Sequence, residues 1–141
     1  MVEAVVDTSV IVKWYSVHDE PEFERARTLL VEHTRQQRHL HVPVLALYEA
    51  GNALRCSTRL SAQEQLRSLT DLFALGLSVY PLTLIRAATA HELSAVFGVS
   101  FYDACFVALA QELDAAFVTA DERLHRRVAS LPFAHTLAFY H

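Results

Sequence analysis

The stretch EAVVDTSVIVKWY, residues 3–15, joins a strand-like run to a helix-like run at a single acid. Residues 3–6 form a short apolar, β-branched run that is typical of a buried strand. Thr8 and Ser9 follow as candidate N-caps and predict a short helix over 8–15. Asp7 lies between the two elements, and the hydroxyls beside it already supply capping oxygens. A carboxylate at such an apolar junction costs free energy unless something pairs with it.

The rest of the chain repeats this alternation of short strands and longer helices. Further strands are predicted over 40–42, 77–80, 116–119 and 136–140. Further helices are predicted over about 21–37, 43–57, 61–76, 82–97, 101–113 and 122–128. The pattern predicts an α/β fold: one domain over 1–141 with a central, mostly parallel sheet of about five short strands, covered by helices on both faces.

Local residues mark where several of these helices begin and end. Pro43 suits the first turn of the helix over 43–57. Ser61 with Glu64 forms a capping box, Ser100 is a candidate N-cap, and Gly98 is a helix terminator. These signals fix the boundaries around the most apolar segments of the chain.

Composition narrows the class of protein. With 141 residues and 52% hydrophobic residues, the chain is long enough to bury its own core. Its formal net charge of −4 argues against a protein that coats nucleic acid by charge alone. No stretch approaches the roughly 20 apolar residues of a membrane span. Because the first apolar run is broken by Glu3, Asp7 and Lys13, we expect no signal peptide, and a soluble, cytoplasmic protein with unpaired, buried Cys56 and Cys105.

Three further acids lie in apolar segments as Asp7 does. They are Glu49 in VPVLALYEAGNAL, Asp103 in VSFYDACFVALA and Asp121 in AAFVTADERL. Asp7 and Asp121 each follow a predicted strand, and the active groups of open parallel sheets collect beyond the carboxyl ends of the strands. We therefore expect the four carboxylates to form one cluster that holds Mg²⁺ or Mn²⁺, ions that prefer oxygen ligands. The polar residues placed to orient these ligands or a water molecule are Thr8, Ser9, Asn52 and Thr119.

Each acid also has an ordinary structural explanation. Asp7 and Asp121 can cap the helices that follow them, and Asp103 can form a variant capping box with Ser100. Glu49 can lie on a solvated helix face, although its segment has almost no polar face. The convergence of four acids on four separate elements favours the metal cluster over these single explanations.

A cluster of this kind performs phosphodiester hydrolysis, but other functions share its features. A receiver-type signalling module also gathers acids at a sheet edge, yet it needs a lysine near the last strands, and the single lysine is Lys13 in the first helix. A metal-dependent phosphatase for small molecules and a metal-binding module without turnover remain alternatives. His39 and His41 alternate on a predicted strand, and without a third ligand nearby in sequence they are interpreted as strand-surface residues.

Four motifs in order resemble the PIN-domain nucleases, particularly the toxin components of bacterial and archaeal VapBC pairs. The motifs are VVDTSV at 5–10, YEAGNAL at 48–54, FYDACFVALA at 101–110 and FVTADERL at 117–124. The resemblance covers residues 5–139. It implies an endoribonuclease that uses Mg²⁺ or Mn²⁺ to cut single-stranded or structured RNA and leaves a 5′-phosphate.

The resemblance also implies roles for individual residues and partners. Metal-ligand and catalytic roles carry over to Asp7, Glu49, Asp103 and Asp121. Asn52 and Thr119 carry over as supporting polar residues. A homodimer is implied, together with a cognate antitoxin protein that inserts a segment near the active site.

The net charge of the chain is negative, whereas a surface that binds RNA needs positive charge. RNA binding would then depend on a local arginine patch, since eleven of the twelve cationic residues are arginine. The candidate RNA contacts are Arg55, Arg59, Arg86, Arg123, Arg126 and Arg127.

Overall fold

A five-stranded, fully parallel sheet forms the centre of the computed structural model, which describes residues 1–15 and 22–141. The strands are β1 (Val2–Val6), β2 (Arg38–Pro43), β3 (Ser78–Tyr80), β4 (Ala116–Thr119) and β5 (Ala134–Thr136). Their order across the sheet is β3-β2-β1-β4-β5. Ala4, Val5 and Val6 of the central strand are fully buried, as expected for a strand covered on both faces. The predicted α/β architecture is confirmed.

Seven α-helices surround the sheet in the described part of the chain. They are α1 (Thr8–Trp14), α2 (Phe23–Thr34), α3 (Leu45–Arg55), α4 (Ala62–Ala74), α5 (Leu84–Phe97), α6 (Phe101–Leu113) and α7 (Glu122–Val128). Ser61 and Glu64 form the predicted capping box of α4, and Ser100 accepts a hydrogen bond from the backbone N–H of Asp103 at 3.0 Å. Gly98 ends α5 in the left-handed conformation, with φ of 66°. These local predictions are confirmed.

Helices pack on both faces of the sheet. Alternate side chains of a strand point to opposite faces, so residues of one strand contact helices on both. On one face Arg38 of β2 pairs with Glu32 of α2 at 2.6 Å. On the other face Pro43 of β2, Tyr80 of β3 and Leu109 of α6 line one apolar recess. The largest fully buried side chain of α6, Phe106, joins the central core.

Two predicted helix starts are wrong, and each helix begins two residues later than the local signals indicate. Pro43 is the last residue of β2, paired with Tyr80, and does not begin a helix. The backbone N–H of Val44 still donates to the carbonyl of Tyr80 at 2.8 Å, so α3 begins only at Leu45. The helix predicted from 82 begins at Leu84, since Thr83 caps it through the N–H of Arg86.

Two further predictions failed at the ends of elements. The strand predicted over 136–140 is instead β5 at Ala134–Thr136, followed by a 3₁₀ helix at Leu137–Phe139. The apolar run there packs as a turn, and the N–H of Tyr140 donates to the carbonyl of Thr136 at 3.0 Å. The helix predicted over 21–37 ends at Thr34, because Gln36 has a φ of 60° that no helix accommodates. Pro21 lies outside the described residues.

No single helix in the described ranges has the length and apolar character needed to cross a membrane. Within the described residues, α5 and α6 reach that length and apolar character only when counted as one segment, and the chain bends by 113° at the break between them. Cys56 and Cys105 are free thiols, as predicted, but the expectation that both are buried is wrong, since Cys56 is exposed and Cys105 is partly buried.

Candidate active site

Asp7 lies at the carboxyl end of the central strand, where its backbone N–H donates to the carbonyl of Val118 at 2.9 Å. Its side chain is only 6% exposed. Asp7 occupies the N-cap position of α1, but its side chain makes no capping hydrogen bond. The prediction that Thr8 and Ser9 are the N-caps is therefore wrong, because both belong to the first turn of α1. Their hydroxyls are directed to other acceptors.

Two hydroxyl groups hold the Asp7 carboxylate in place. Ser9 Oγ donates to Asp7 Oδ2 at 2.5 Å, and Thr119 Oγ1 donates to the same oxygen at 2.8 Å. The two hydroxyls in turn accept from the backbone N–H groups of Ala120 and Asp121, at 2.9 and 3.0 Å. This network ties the end of β1 to the end of β4. Asp7 and Asp121 are thereby fixed relative to one another.

Glu49 reaches the same region from α3. Thr8 Oγ1 donates to Glu49 Oε1 at 2.8 Å, across 41 residues of sequence. Thr8 precedes Ser9 directly, so adjacent residues at the start of α1 hold two of the four acids. The Glu49 side chain is partly buried, and the solvated-face explanation does not describe it.

Asp103 and Asp121 complete the group from the opposite side. Asp103 lies in the first turn of α6, and Asp121 is the N-cap of α7, where its Oδ1 accepts from the N–H of Leu124 at 3.1 Å. The capping explanation for Asp121 is thus correct for one of its two oxygens. Both acids line a recess of about 280 Å³ together with Arg123 and Arg127.

The four acids interact through their charges. Burial raises the pKa of Glu49 above its ordinary value, and the charges of Asp7 and Asp103 raise it further. Burial likewise raises the pKa of Asp103, with repulsion from Asp7 and Asp121 adding to the effect. The pKa of Asp7 is raised by burial, against the hydrogen bonds from its two hydroxyl donors. The acids predicted from separate segments therefore lie within electrostatic reach of one another.

The donor set fits a divalent cation of the Mg²⁺ or Mn²⁺ class. It offers carboxylate oxygens from four elements, and none of these acids forms an ion pair with a cation among the described residues. Mutual repulsion and burial both disfavour the charged state, and a bound cation reverses that cost. Asp7 is the acid whose charge raises the pKa of both Glu49 and Asp103.

The remaining candidate residues differ in how closely they approach this group. Asn52 is exposed on α3, and its Oδ1 has a long contact of 3.9 Å with the thiol of Cys56. Arg86 binds both carboxylate oxygens of Glu112 at 3.0 Å, so its guanidinium is already engaged. Three of the candidate arginines are exposed and lie elsewhere than the acidic recess, namely Arg55, Arg59 and Arg126.

A second cluster was missed by sequence reasoning. His41 is only 6% exposed, so its interpretation as a strand-surface residue is wrong. The third member, Glu3, comes from β1, which pairs Glu3 with His39 in the parallel register. Among described residues, the one group of three whose potential ligand atoms all lie within 4.8 Å of each other is Glu3, His39 and His41. Only the strand register, which no local pattern reveals, brings them together.

The comparison with protein families gives the class of this protein. The PIN domain family model matches residues 4–131, and the chain belongs to the PIN domain family. No protein of curated function matches it significantly in sequence.

Solved structures with the same fold include proteins of toxin–antitoxin pairs. PAE2754 from Pyrobaculum aerophilum has a TM-score of 0.68 at 22% identity, covering 96% of this chain and 91% of that one. The DNA-bound VapBC complex from Salmonella typhimurium has a TM-score of 0.71 at 17% identity, covering 97% and 99%. Mycobacterium tuberculosis VapC20, a toxin that cleaves the sarcin–ricin loop, has a TM-score of 0.67 at 16% identity, covering 92% and 95%. At these identities the likeness concerns the fold.

Proposed function

We propose that this single-domain protein, residues 1–141, is a metal-dependent endoribonuclease and the toxin of a VapBC-type pair. The observation that carries the proposal is the gathering of four acids from β1, α3, α6 and the start of α7 into one electrostatically coupled group. Membership of the PIN domain family and the fold shared with VapC20 support the same function. We further propose that it acts in the cytoplasm, where RNA is available and thiols such as Cys56 stay reduced.

The proposed metal ligands and catalytic residues are Asp7, Glu49, Asp103 and Asp121. These residues would hold Mg²⁺ or Mn²⁺, which would lower the pKa of a bound water molecule and neutralise charge on the phosphodiester. Ser9 and Thr119 hold Asp7 in one orientation, and Thr8 does the same for Glu49. Such outer hydrogen bonds set the direction in which a ligand oxygen points. Asp121 has one oxygen fixed by Leu124 and keeps the other for a ligand.

Arg123 and Arg127 are the proposed RNA contacts. They share the recess with Asp103 and Asp121, so a phosphate next to the acids lies within reach of a guanidinium. Arg55, Arg59 and Arg126 remain candidates for more distant phosphates because all three are exposed. Contacts of this type bind the RNA backbone without reading its sequence.

An antitoxin partner is proposed from an apolar recess that adjoins the acids. The recess measures about 200 Å³, and its wall includes Tyr48, Tyr102 and Cys105. The charge of Glu49 reaches Cys105 and contributes to raising the pKa of that thiol, after burial. Tyr48 is 74% exposed and flanks Glu49 directly in sequence. An apolar peptide segment placed there also reaches the acidic group, so binding and inhibition are coupled. The neighbours that are VapBC and FitAB complexes support a partner of this kind.

A homodimer is proposed from the apolar start of α5. Leu84 and Ile85 are 85% and 79% exposed on its first turn, an unusual position for two large aliphatic side chains. A second copy of the chain would cover them. Ile85→Asp is expected to convert the dimer into a monomer, as measured by light scattering on a sizing column.

Cleavage of end-labelled RNA tests the proposed function directly. The full chain is incubated with single-stranded and hairpin RNAs in the presence of Mg²⁺, Mn²⁺ or EDTA, with nitrophenyl phosphate assayed in parallel. We expect RNA products with 5′-phosphates that require the cation, and no turnover of the small ester. Asp103→Asn is expected to abolish cleavage.

The controls separate the competing functions. Hydrolysis of nitrophenyl phosphate without RNA cleavage indicates a small-molecule phosphatase. Cation binding without any turnover indicates a binding module, and a mass increase after treatment with a small phosphodonor indicates a receiver. Cleavage that persists in EDTA or in Asp103→Asn contradicts the metal-dependent mechanism.

A further inference from the structure

Glu3, His39 and His41 form a compact group on one face of the sheet. Glu3 Oε2 lies 2.6 Å from His41 Nε2 and 3.5 Å from His39 Nδ1. The two imidazole rings have centroids 4.2 Å apart. The three side chains share this face because β1 and β2 are parallel and Glu3 is in register with His39. One carboxylate oxygen and two ring nitrogens thus converge on a single point.

The outer nitrogen of each ring is already bound to a hydroxyl group of β3. His39 Nε2 lies 2.7 Å from Ser78 Oγ, and His41 Nδ1 lies 2.9 Å from the hydroxyl of Tyr80. Without a cation, His41 Nε2 donates to Glu3; in the other tautomer Nδ1 donates to the hydroxyl of Tyr80, and Nε2 offers its lone pair to a cation. His39 likewise offers Nδ1 when Nε2 donates to Ser78. A hydrogen bond to the outer nitrogen is what fixes the ring of a metal-binding histidine. The orientation of both rings is therefore set by residues outside the cluster.

We propose that Glu3, His39 and His41 form a binding site for a Zn²⁺-class cation, separate from the acidic group. Two imidazoles and one carboxylate are a ligand set that zinc accepts, with the fourth position left for water. The mixed nitrogen and oxygen donors distinguish it from the all-oxygen group at the end of the sheet, which suits Mg²⁺ or Mn²⁺.

The distances within the group fit this ion. Zinc bonds of about 2.0–2.1 Å in a tetrahedral arrangement place neighbouring ligand atoms roughly 3.3 Å apart. The observed separations of 2.6 and 3.5 Å lie on either side of that value. Opening the shorter contact by less than an ångström makes room for the ion. Glu3 is the most exposed member, with 41% of its side chain accessible, and it can move outward.

Neighbouring groups do not compete for the ion. His33 stacks near His39 with centroids 6.0 Å apart, but both of its nitrogens are engaged, with the carbonyl of Leu75 at 2.9 Å and the N–H of Leu40 at 3.2 Å. Asp7 directly follows β1, four residues beyond Glu3, or about 13 Å at 3.3 Å per residue of extended chain. The proposed site and the acidic group are therefore two separate centres on one strand.

Titration with Zn²⁺ tests the site without relying on nuclease activity. Calorimetry is carried out on the full chain in excess Mg²⁺, which occupies the acidic group, with Co²⁺ as a spectroscopic replacement. We expect one Zn²⁺ per chain, the visible absorption of a tetrahedral Co²⁺ complex, and a rise in Tm on adding Zn²⁺. His39→Gln and Glu3→Gln should each weaken Zn²⁺ binding by at least about tenfold, and Ser78→Ala by about 10–100-fold.

The matched controls are His91→Gln, on an exposed histidine of α5, and Cys56→Ser, on an exposed thiol. Both should leave the affinity for Zn²⁺ unchanged. If wild-type protein binds no Zn²⁺, or if His39→Gln and Glu3→Gln bind it as tightly as wild type, the proposal is overturned. Equal losses in the control variants also overturn it. His41 is left unchanged because it is buried, and its loss could unfold the chain.

Discussion

Two polar clusters on the same strand differ in how their charges are balanced. At the carboxyl end of β1, Asp7 belongs to a group of acids with no cationic partner among the described residues, and burial raises its pKa. Near the start of β1, Glu3 has its pKa lowered, chiefly by the hydrogen bond from His41. One cluster needs a cation from outside, whereas the other is already paired within the chain.

The difference shows what each cluster contributes to folding. A group of like charges around the buried Asp7 opposes folding, so selection for stability alone would remove it. A hydrogen-bonded acid and histidine support folding modestly, so their presence does not by itself require a function. The acidic group is thus the stronger indication of activity. The case for a metal site at the Glu3 cluster depends instead on the geometry of its ligand atoms.

Asp7→Asn, like Asp103→Asn, should have the largest effect among the single changes. It removes a ligand oxygen charge at the centre of the group, so RNA cleavage should fall by more than the roughly 100-fold that loss of an outer hydrogen bond can cause. The fold should persist, because the amide oxygen can still accept from Ser9 and Thr119. Initial rates of cleavage at saturating Mg²⁺ measure the loss.

Asp114→Asn is the matched control for that experiment. Asp114 is exposed at the end of α6 and has a φ of 51°, a conformation that asparagine tolerates well. The substitution removes the same charge at a site away from the acids. Equal loss of activity in both variants would show that net charge, and not the acidic group, controls cleavage.

Thr8→Val should have the second largest effect. Valine has the shape of threonine but cannot donate to Glu49, so cleavage should fall by about 10–100-fold. Thr8 also opposes the rise in the pKa of Glu49, so the activity profile should move to higher pH in the variant. Thr8→Ser keeps the hydroxyl and should retain most of the activity. An unchanged pH profile in Thr8→Val would mean that the hydroxyl does not act on Glu49.

The contacts of Thr8 also show where sequence reasoning ends. The pattern around residues 3–15 is local, and it correctly predicts the strand, the short helix and an acid left over at their junction. The same local pattern predicted Thr8 to be a helix cap. Its actual partner, Glu49, lies 41 residues away and leaves no signal in the sequence around Thr8. Secondary structure and candidate acids follow from short-range pattern. Which hydroxyl meets which carboxylate depends on how the elements pack.

The errors at the sheet have a similar cause. Pro43 carries a strong local signal for a helix start, but pairing with β3 holds it in the sheet. The Glu3 and His39 register is set by the whole parallel sheet, so the cluster there was invisible from spacing along the chain. The supporting role of Asn52, predicted from its spacing to Glu49 and from the resemblance, stays a prediction, and the structure places its exposed side chain beside Cys56.

The pH dependence of stability provides a third and smaller test. Burial raises the pKa of Asp7, so the folded protein favours the protonated acid. Its cost to stability is fully present above that raised pKa, and it disappears as the pH falls toward the ordinary value of 3.8. In metal-free buffer, Asp7→Asn should therefore be more stable than wild type at neutral pH, by on the order of 1 kcal/mol. Urea unfolding measures this, and the difference should shrink as the pH is lowered.

Glu3→Gln should have the smallest effect and the opposite sign. The pKa of Glu3 is lowered by its partner, so its contribution to stability is present above the ordinary value of 4.5 and is lost as the pH falls below it. The carboxylate is partly exposed, so the loss at neutral pH should be only about 0.2–1 kcal/mol. Urea unfolding should therefore show Glu3→Gln to be less stable than wild type and Asp7→Asn to be more stable, although each variant loses one negative charge. If the free energy of unfolding changes in the same direction in both variants at neutral pH, the two clusters do not differ in charge balance. The contrast between the paired Glu3 and the unpaired Asp7 is then wrong.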